Sequence, residues 1–218
     1  MTRKVVTRAP HREVGIVNAS WLLDHEVEHE SHLEKRFIMV ALSCPVVVDV
    51  AHQPFEVWLD PEKTKMYTPD FLVTFGNGDK VVVEVKPEVF IKENQTLHHA
   101  ARHALAIMGF QFLVVSDEQI DAHGLSSRAL LLMRYGRLFL DEAQALQCRQ
   151  ILEDHFQGSA SVTDLLEHGV SEETIWNLVA RHQLKVPSGI SLSPAETVSR
   201  NSTKEDCHAF FCTWLGLE

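Results

Sequence analysis

The 218-residue chain has no uninterrupted apolar run approaching the ~20 residues of a membrane-spanning helix, so no membrane partner is expected. Its first residues, MTRKVVTRAPHREVG, hold no apolar stretch of the kind found in a secretory signal. Only four cysteines occur, Cys44, Cys148, Cys207 and Cys212, and their spacing shows no paired motif. That argues against a disulfide framework and fits reduced thiols in the cytoplasm. Cys207, His208 and Cys212 lack a fourth ligand nearby, so zinc is not expected there. Internal repeats and low-complexity blocks are also missing. So is an excess of positive charge: 20 Lys and Arg stand against 30 Asp and Glu, a formal net charge of -10. Such a chain does not bind nucleic acid or anionic lipid strongly by its own field, but a DNA enzyme delivered by a partner remains compatible.

What is present is ordinary globular composition, 45% hydrophobic and 23% charged, in a length that suits one or two domains. The charge is uneven. Residues 1–23 form a basic N-terminal segment with Arg3, Lys4, Arg8 and Arg12 against Glu13; the rest is acidic. That segment is either a phosphate-seeking arm or a solvated terminus. Val27, Leu33, Phe37, Val40 and Ala41 recur at helical spacing and predict a helix over 26–43, ended by Pro45. Val46 to Val50, Phe55 to Leu59, Phe71 to Phe75 and Lys80 to Lys86 read as strands. The last two flank Gly76-Asn77-Gly78-Asp79, a hairpin turn signal. A helix over 93–108 stopping at Gly109, a strand from Phe110 to Val115 and a helix from Ser126 to Tyr135 follow. The order predicts a mixed α/β fold. After residue 140 no convincing long strand is visible, and helices are expected over 141–156, 161–167 and 171–182.

The informative stretch is Tyr67-Thr68-Pro69-Asp70-Phe71, the turn, then Val83-Glu84-Val85-Lys86-Pro87. Period-2 geometry puts Glu84 and Lys86 on one strand face and turns Val83 and Val85 into the core. A hairpin can bring the Asp70 carboxylate beside Glu84. Two converging carboxylates form a hard-oxygen site suited to Mg²⁺, with Mn²⁺ as a substitute. A lysine at its edge can orient a water or stabilise charge on a phosphate, the requirements for hydrolysing a phosphodiester. A further carboxylate is expected from the first helix, where Glu30 and Glu34 lie at i and i+4. Alone, an Asp after Pro is often a turn residue and an E-x-K on a strand is often a solvated ion pair. Together, in this order of elements, they favour a catalytic reading.

These residues form the PD-(D/E)xK nuclease pattern. With Glu30-Ser31-His32-Leu33-Glu34, Gln53-Pro54, Ser116-Asp117-Glu118-Gln119-Ile120 and Leu131-Leu132-Met133-Arg134-Tyr135, they resemble the amino-terminal domain of the TnsA family across about residues 28–136. TnsA proteins are endonuclease subunits of heteromeric cut-and-paste transposases. The resemblance implies a restriction-endonuclease-like mixed sheet flanked by helices, over residues 24–139, and cleavage of the 5′ ends of a transposon. It implies as partners the transposon-end DNA, a TnsB-like DDE transposase and a TnsC-like AAA+ ATPase. It implies a bacterial cytoplasmic location, nucleoid-associated while acting. By motif, Glu34 is the helix-borne catalytic acid, with Glu30 as fallback; Asp70 is the metal-binding acid, Glu84 the second acid and Lys86 the catalytic lysine. Family members vary at the Glu84 position. The backbone carbonyl of Val85 would complete a metal shell with Asp70, Glu84 and Glu34. Gln53 is an accessory candidate or a partner of strand backbone groups.

Residues 140–187 are expected to form a small, mostly helical domain of possible winged-helix type, such as TnsA proteins commonly carry. Glu167, Glu172 and Glu173 beside its would-be recognition helix oppose direct major-groove binding. The tail 188–218, with Phe210, Phe211, Trp214 and Leu217, is the best candidate to contact the ATPase, or else packs on its own domain. His25, His29 and His32 would share a solvated helical face. His99 and His103, with Arg102, either touch phosphate or line a plain exposed helix. Two other functions stay open: a stand-alone repair or restriction nuclease of the same superfamily, and a catalytically idle adaptor in a transposition complex.

Overall fold

The computed structural model describes residues 14–187, 189–201 and 206–217. The four basic side chains of the first twelve residues lie outside the described residues. The chain begins with β1 (Gly15–Val17) paired antiparallel to β2 (Val27–His29), followed by α1 (His32–Ser43) and β3 (Val47–His52). The short pair β4 (Val57–Trp58) and β5 (Met66–Tyr67) leads to the hairpin β6 (Phe71–Phe75) and β7 (Lys80–Val85). Helices α2 (Glu88–Ile91) and α3 (Gln95–Ile107) then cross over to β8 (Gln111–Val115). The main sheet has order β3-β6-β7-β8, antiparallel except for the β7–β8 pair. A parallel pair needs such a long connection, because a tight turn can only reverse the chain.

The hairpin turn forms as its residues predict. Gly78 has φ +89, and the Asn77 side chain accepts the Asp79 N–H at 3.1 Å. Gly109 takes φ +84 just after α3, consistent with the expected helix stop. The two sheet faces carry separate cores. Phe71, Val73, Phe75, Val81, Val83 and Val85 pack in the larger cluster with Phe37 and Val40 of α1. Val82 and Phe112 pack on the other face with Ala101 and Leu105 of α3. Val83 and Val85 point inward as their spacing predicts, so Glu84 and Lys86 share the α3 face.

The first helix differs from the expectation: it starts at His32, not at residue 26. Val27 is instead in β2, opposite Val17. Ser31 is the N-cap and accepts the Glu34 N–H at 3.1 Å, while the Glu34 carboxylate accepts the Ser31 hydroxyl at 2.9 Å and the Glu30 N–H at 2.7 Å. This reciprocal S-x-x-E cap outweighs the apolar periodicity that suggested an earlier start. Glu30 therefore does not share a helical face with Glu34. The histidine row is broken for the same reason: His25 bonds Asp49, His29 lies in β2 and only His32 is helical.

Beyond the sheet run α4 (Asp117–Asp121), α5 (Leu125–Arg137), α6 (Glu142–Phe156), β9 (Ser159–Ser161), α7 (Val162–Glu167), α8 (Glu172–Ala180), β10 (Leu184–Lys185), β11 (Thr197–Arg200) and α9 (Cys207–Trp214). This region is helical, as expected, with a small antiparallel sheet of order β10-β11-β9 that the sequence pattern did not show. Its strands have two to four residues, too few for a visible period. The tail is not a free segment. Phe211 and Trp214 are buried, the Trp214 indole donates to the Val40 carbonyl at 3.2 Å, and Phe211 meets Phe75 at 5.4 Å between ring centroids. The apolar face of α9 finds its groove on α1 and the sheet, where burial incurs no association cost.

Candidate active site

The register Phe71↔Val83, Leu72↔Val82 sets Asp70, just before β6, level with Glu84 of β7. Glu84 is only 4% exposed, although it is a carboxylate. A buried carboxylate needs hydrogen-bond partners or an opposite charge. One Glu84 oxygen accepts the Tyr67 hydroxyl at 2.5 Å; the other lies 3.2 Å from the Lys86 ammonium. Tyr67, on β5 and buried, arrives from outside the hairpin. Burial, and then the Glu84 charge, push its phenol far above the ordinary range, so it stays a donor.

Asp70 Oδ2 accepts the backbone N–H of Val85 at 2.8 Å. Its carboxyl is held well above the usual carboxylate range. Burial is the main cause and the Glu84 charge the next; the Val85 N–H and Lys86 oppose them. Two acids, Glu84 buried and Asp70 half-buried, here share one corner with one nearby lysine. The Lys86 backbone is fixed by its N–H to the Val115 carbonyl at 3.0 Å, and its side chain keeps part of its surface open to solvent.

Glu34 stands at the same end of the sheet, close enough for its charge to raise Asp70. Burial pushes the Glu34 carboxyl up, but the neighbouring His52 ring, the Glu30 N–H and the Ser31 hydroxyl outweigh it and hold the group below its ordinary value. His52 Nε2 is 3.6 Å from Glu34 Oε2, an electrostatic contact too long for a hydrogen bond. The Gln53 backbone N–H bonds the Asp70 carbonyl at 2.8 Å, and its side chain donates to Glu30 at 3.3 Å. Gln53 takes φ 42, which turns the chain at the end of β3 toward that contact.

Asp70, Glu84 and Lys86 are thus brought together, with Val85 between them. What is seen of Val85 here is its N–H, given to Asp70. Among the described residues no group of three or more His, Cys, Asp or Glu side chains is arranged to hold a metal ion. The expected three-carboxylate set is not drawn together, because Glu34 is engaged in starting α1. Two carboxylates nevertheless suit Mg²⁺, which takes oxygen donors, usually one or two carboxylates, with water and phosphate for the rest. The buried Asp70–Glu84 repulsion is what a cation would relieve.

Tyr67 and His52 were not singled out from the sequence. Tyr67 stands three residues before Asp70, but nothing local says that its hydroxyl reaches across to Glu84. His52 ends a β-branched strand, with no sign that it faces Glu34.

A four-stranded mixed sheet between helices, with two acids and a lysine at one end of its hairpin, defines the restriction-endonuclease-like class and is consistent with the PD-(D/E)xK superfamily. Residues 44–117 match the family model described as TnsA-like endonuclease N terminal. Over that span the chain is similar to TnsA-like endonuclease domains, and this supports a nuclease of the transposase type. The match contains Gln53, Asp70, Glu84, Val85 and Lys86; Glu30 and Glu34 lie before it. No curated protein matches the chain in sequence. Among the described residues no helix is long and apolar enough to cross a membrane.

Proposed function

We propose that this chain is the Mg²⁺-dependent endonuclease subunit of a heteromeric transposase, cutting the 5′ ends of the transposon beside a TnsB-like DDE transposase and a TnsC-like AAA+ ATPase. The observation that carries the proposal is the convergence of Asp70, Glu84 and Lys86 at one end of the β6–β7 hairpin. Asp70 and Glu84, with the Val85 carbonyl, would hold the metal. Bound magnesium (or manganese) would supply Lewis-acid polarisation of the scissile phosphate and a more acidic water. Lys86 holds a positive charge where the phosphate develops negative charge, and can orient the attacking water. Tyr67 fixes the Glu84 carboxylate by donating to one oxygen. The Val85 N–H does the same for Asp70, so neither acid needs to reorganise as substrate arrives. Glu34, held by Ser31 and Glu30, would take part as a water holder at the rim. The net charge of -10 suits a subunit that partners bring to DNA.

Strand-resolved cleavage of a transposon-end duplex in Mg²⁺, with the chain alone and with its candidate DDE partner, tests this. Cutting of the 5′ ends only with the partner, abolished by Lys86→Ala, is the expected result. Robust cutting of unrelated DNA by the chain alone would replace it with the stand-alone nuclease. Normal transposition with Lys86→Ala would replace it with the adaptor.

A further inference from the structure

A cleft of about 460 Å³ opens beside the catalytic hairpin, between α2 and the first turns of α3. Its lining includes Lys92, Gln95, His98, His99, Arg102 and Val114 and contains no carboxylate, in a chain whose acids outnumber its bases. Val114 of β8 pairs in register with Glu84, so the cleft adjoins the acid corner directly. We propose that this cleft binds a backbone phosphate of the DNA strand, one that flanks the scissile phosphate; the proposal rests on the nuclease reading above.

Three observations support it. Lys92 and Arg102 are exposed, and neither has an ion-pair partner among the described residues. The Arg102 guanidinium lies 5.6 Å from the Phe112 ring centroid, which orients it while leaving its N–H donors free. His98, 5% exposed, forms part of the wall, and its Nε2 has no hydrogen-bond partner. A buried polar atom without a partner is rare and needs a reason. A phosphate seated in the cleft would provide His98 with an acceptor. The site would then grip the substrate one step away from the chemistry, where a positive charge does not compete with the metal.

The same chemistry could serve a free phosphate ion, and the test separates the two sources. Anisotropy of a labelled duplex is measured with the full chain in EDTA, so that no cleavage occurs, across a chloride series. Arg102→Gln and Lys92→Gln, both on the surface, are compared with wild type and with Lys80→Gln at the far end of β7. Each cleft substitution is expected to reduce the slope of log affinity against log salt by about 0.9, and the pair to weaken binding roughly tenfold, with Lys80→Gln unchanged. An unchanged slope in both cleft variants, or no duplex binding by wild type, overturns the proposal. So does thermal stabilisation by inorganic phosphate that the cleft variants abolish while the duplex slope stays the same. Lys86-dependent cleavage with an unchanged slope would remove the cleft and leave the nuclease reading. Reduced slopes without Lys86-dependent cleavage would do the reverse.

Discussion

The polar groups of the acid corner and those of the C-terminal helices are treated in opposite ways. In the helical region the buried Asn177 of α8 donates to the carbonyls of Tyr135 and Leu138 and accepts from Arg181. The Trp176 indole bonds Glu172, and that of Trp214 bonds Val40. In the nuclease region the half-buried Asp70 stands level with the buried Glu84, whose charge raises it, and His29, His52 and His98 each bury a ring nitrogen without a partner. Among the described residues, every buried side-chain nitrogen or oxygen without a hydrogen bond lies before residue 129. One region is built for stability; the other stores unfavourable electrostatics where a ligand can use them. Both regions share one continuous apolar core.

The sharpest way to separate them is Asp70→Asn. Cleavage is expected to fall by about 10³-fold or more, because a charged oxygen donor is lost at the reacting centre. Stability should rise by about 1 kcal/mol near neutral pH, or ~2–4 °C for a chain of this size. The sign follows from the raised folded-state value of Asp70. The native protein carries no penalty below the unfolded carboxyl range, near pH ~4, and loses stability as pH rises through the raised value. The advantage of Asn over Asp should therefore grow with pH and then level off, as thermal melts across pH would show. A melt lowered by the substitution would break the comparison.

Trp214→Ala should do the opposite, costing about 3–5 kcal/mol by cavity and lost burial. Urea unfolding of the full chain reads that loss, and the acid corner itself should keep its ion pair. Asn177→Ala should cost about 1–2 kcal/mol in the same assay: it removes three hydrogen bonds, while the Leu138 carbonyl keeps Arg181 and the Tyr135 carbonyl keeps the Leu138 N–H. His182 offers a milder, pH-dependent test. Burial holds its ring down to about 4, against the opposing pull of the Leu42 carbonyl at 2.9 Å. The stability it contributes is present above the ordinary histidine value and lost as pH falls from about 6.5 toward about 4, at up to about 1.4 kcal/mol per pH unit. His182→Asn should flatten that limb of a stability–pH profile. The smallest effect belongs to His25→Ala. The His25–Asp49 contact at 2.7 Å is largely exposed, and its loss should change unfolding by less than about 0.5 kcal/mol.

Much of the site could be read from spacing alone. The alternation Val83-Glu84-Val85-Lys86 predicts which residues face the core, and the turn at Gly76 to Asp79 predicts that Asp70 comes back beside Glu84. Both hold in the structure. The expected start of α1 at residue 26 leans on Val27, which lies in β2 and stands six residues before Leu33, a separation that leaves the helical face. The cap pair Ser31 and Glu34 was the local signal that could have corrected it. The hydroxyl of Tyr67 on Glu84 and the ring of His52 near Glu34 had no such signal, since each contact joins separate elements.

By itself the sequence determined the class of fold, the hairpin and the acid–acid–lysine order, because turn chemistry and a period of two act over a few residues. Only the tertiary structure decided that Glu34 lies beside His52, that Tyr67 orders Glu84 and that the Trp214 helix folds back onto α1. It also decided that Lys92 and Arg102 face one cleft with the unpartnered His98. These depend on which surfaces meet once the cores close, and the energies that choose among them are set by burial between residues far apart in the chain.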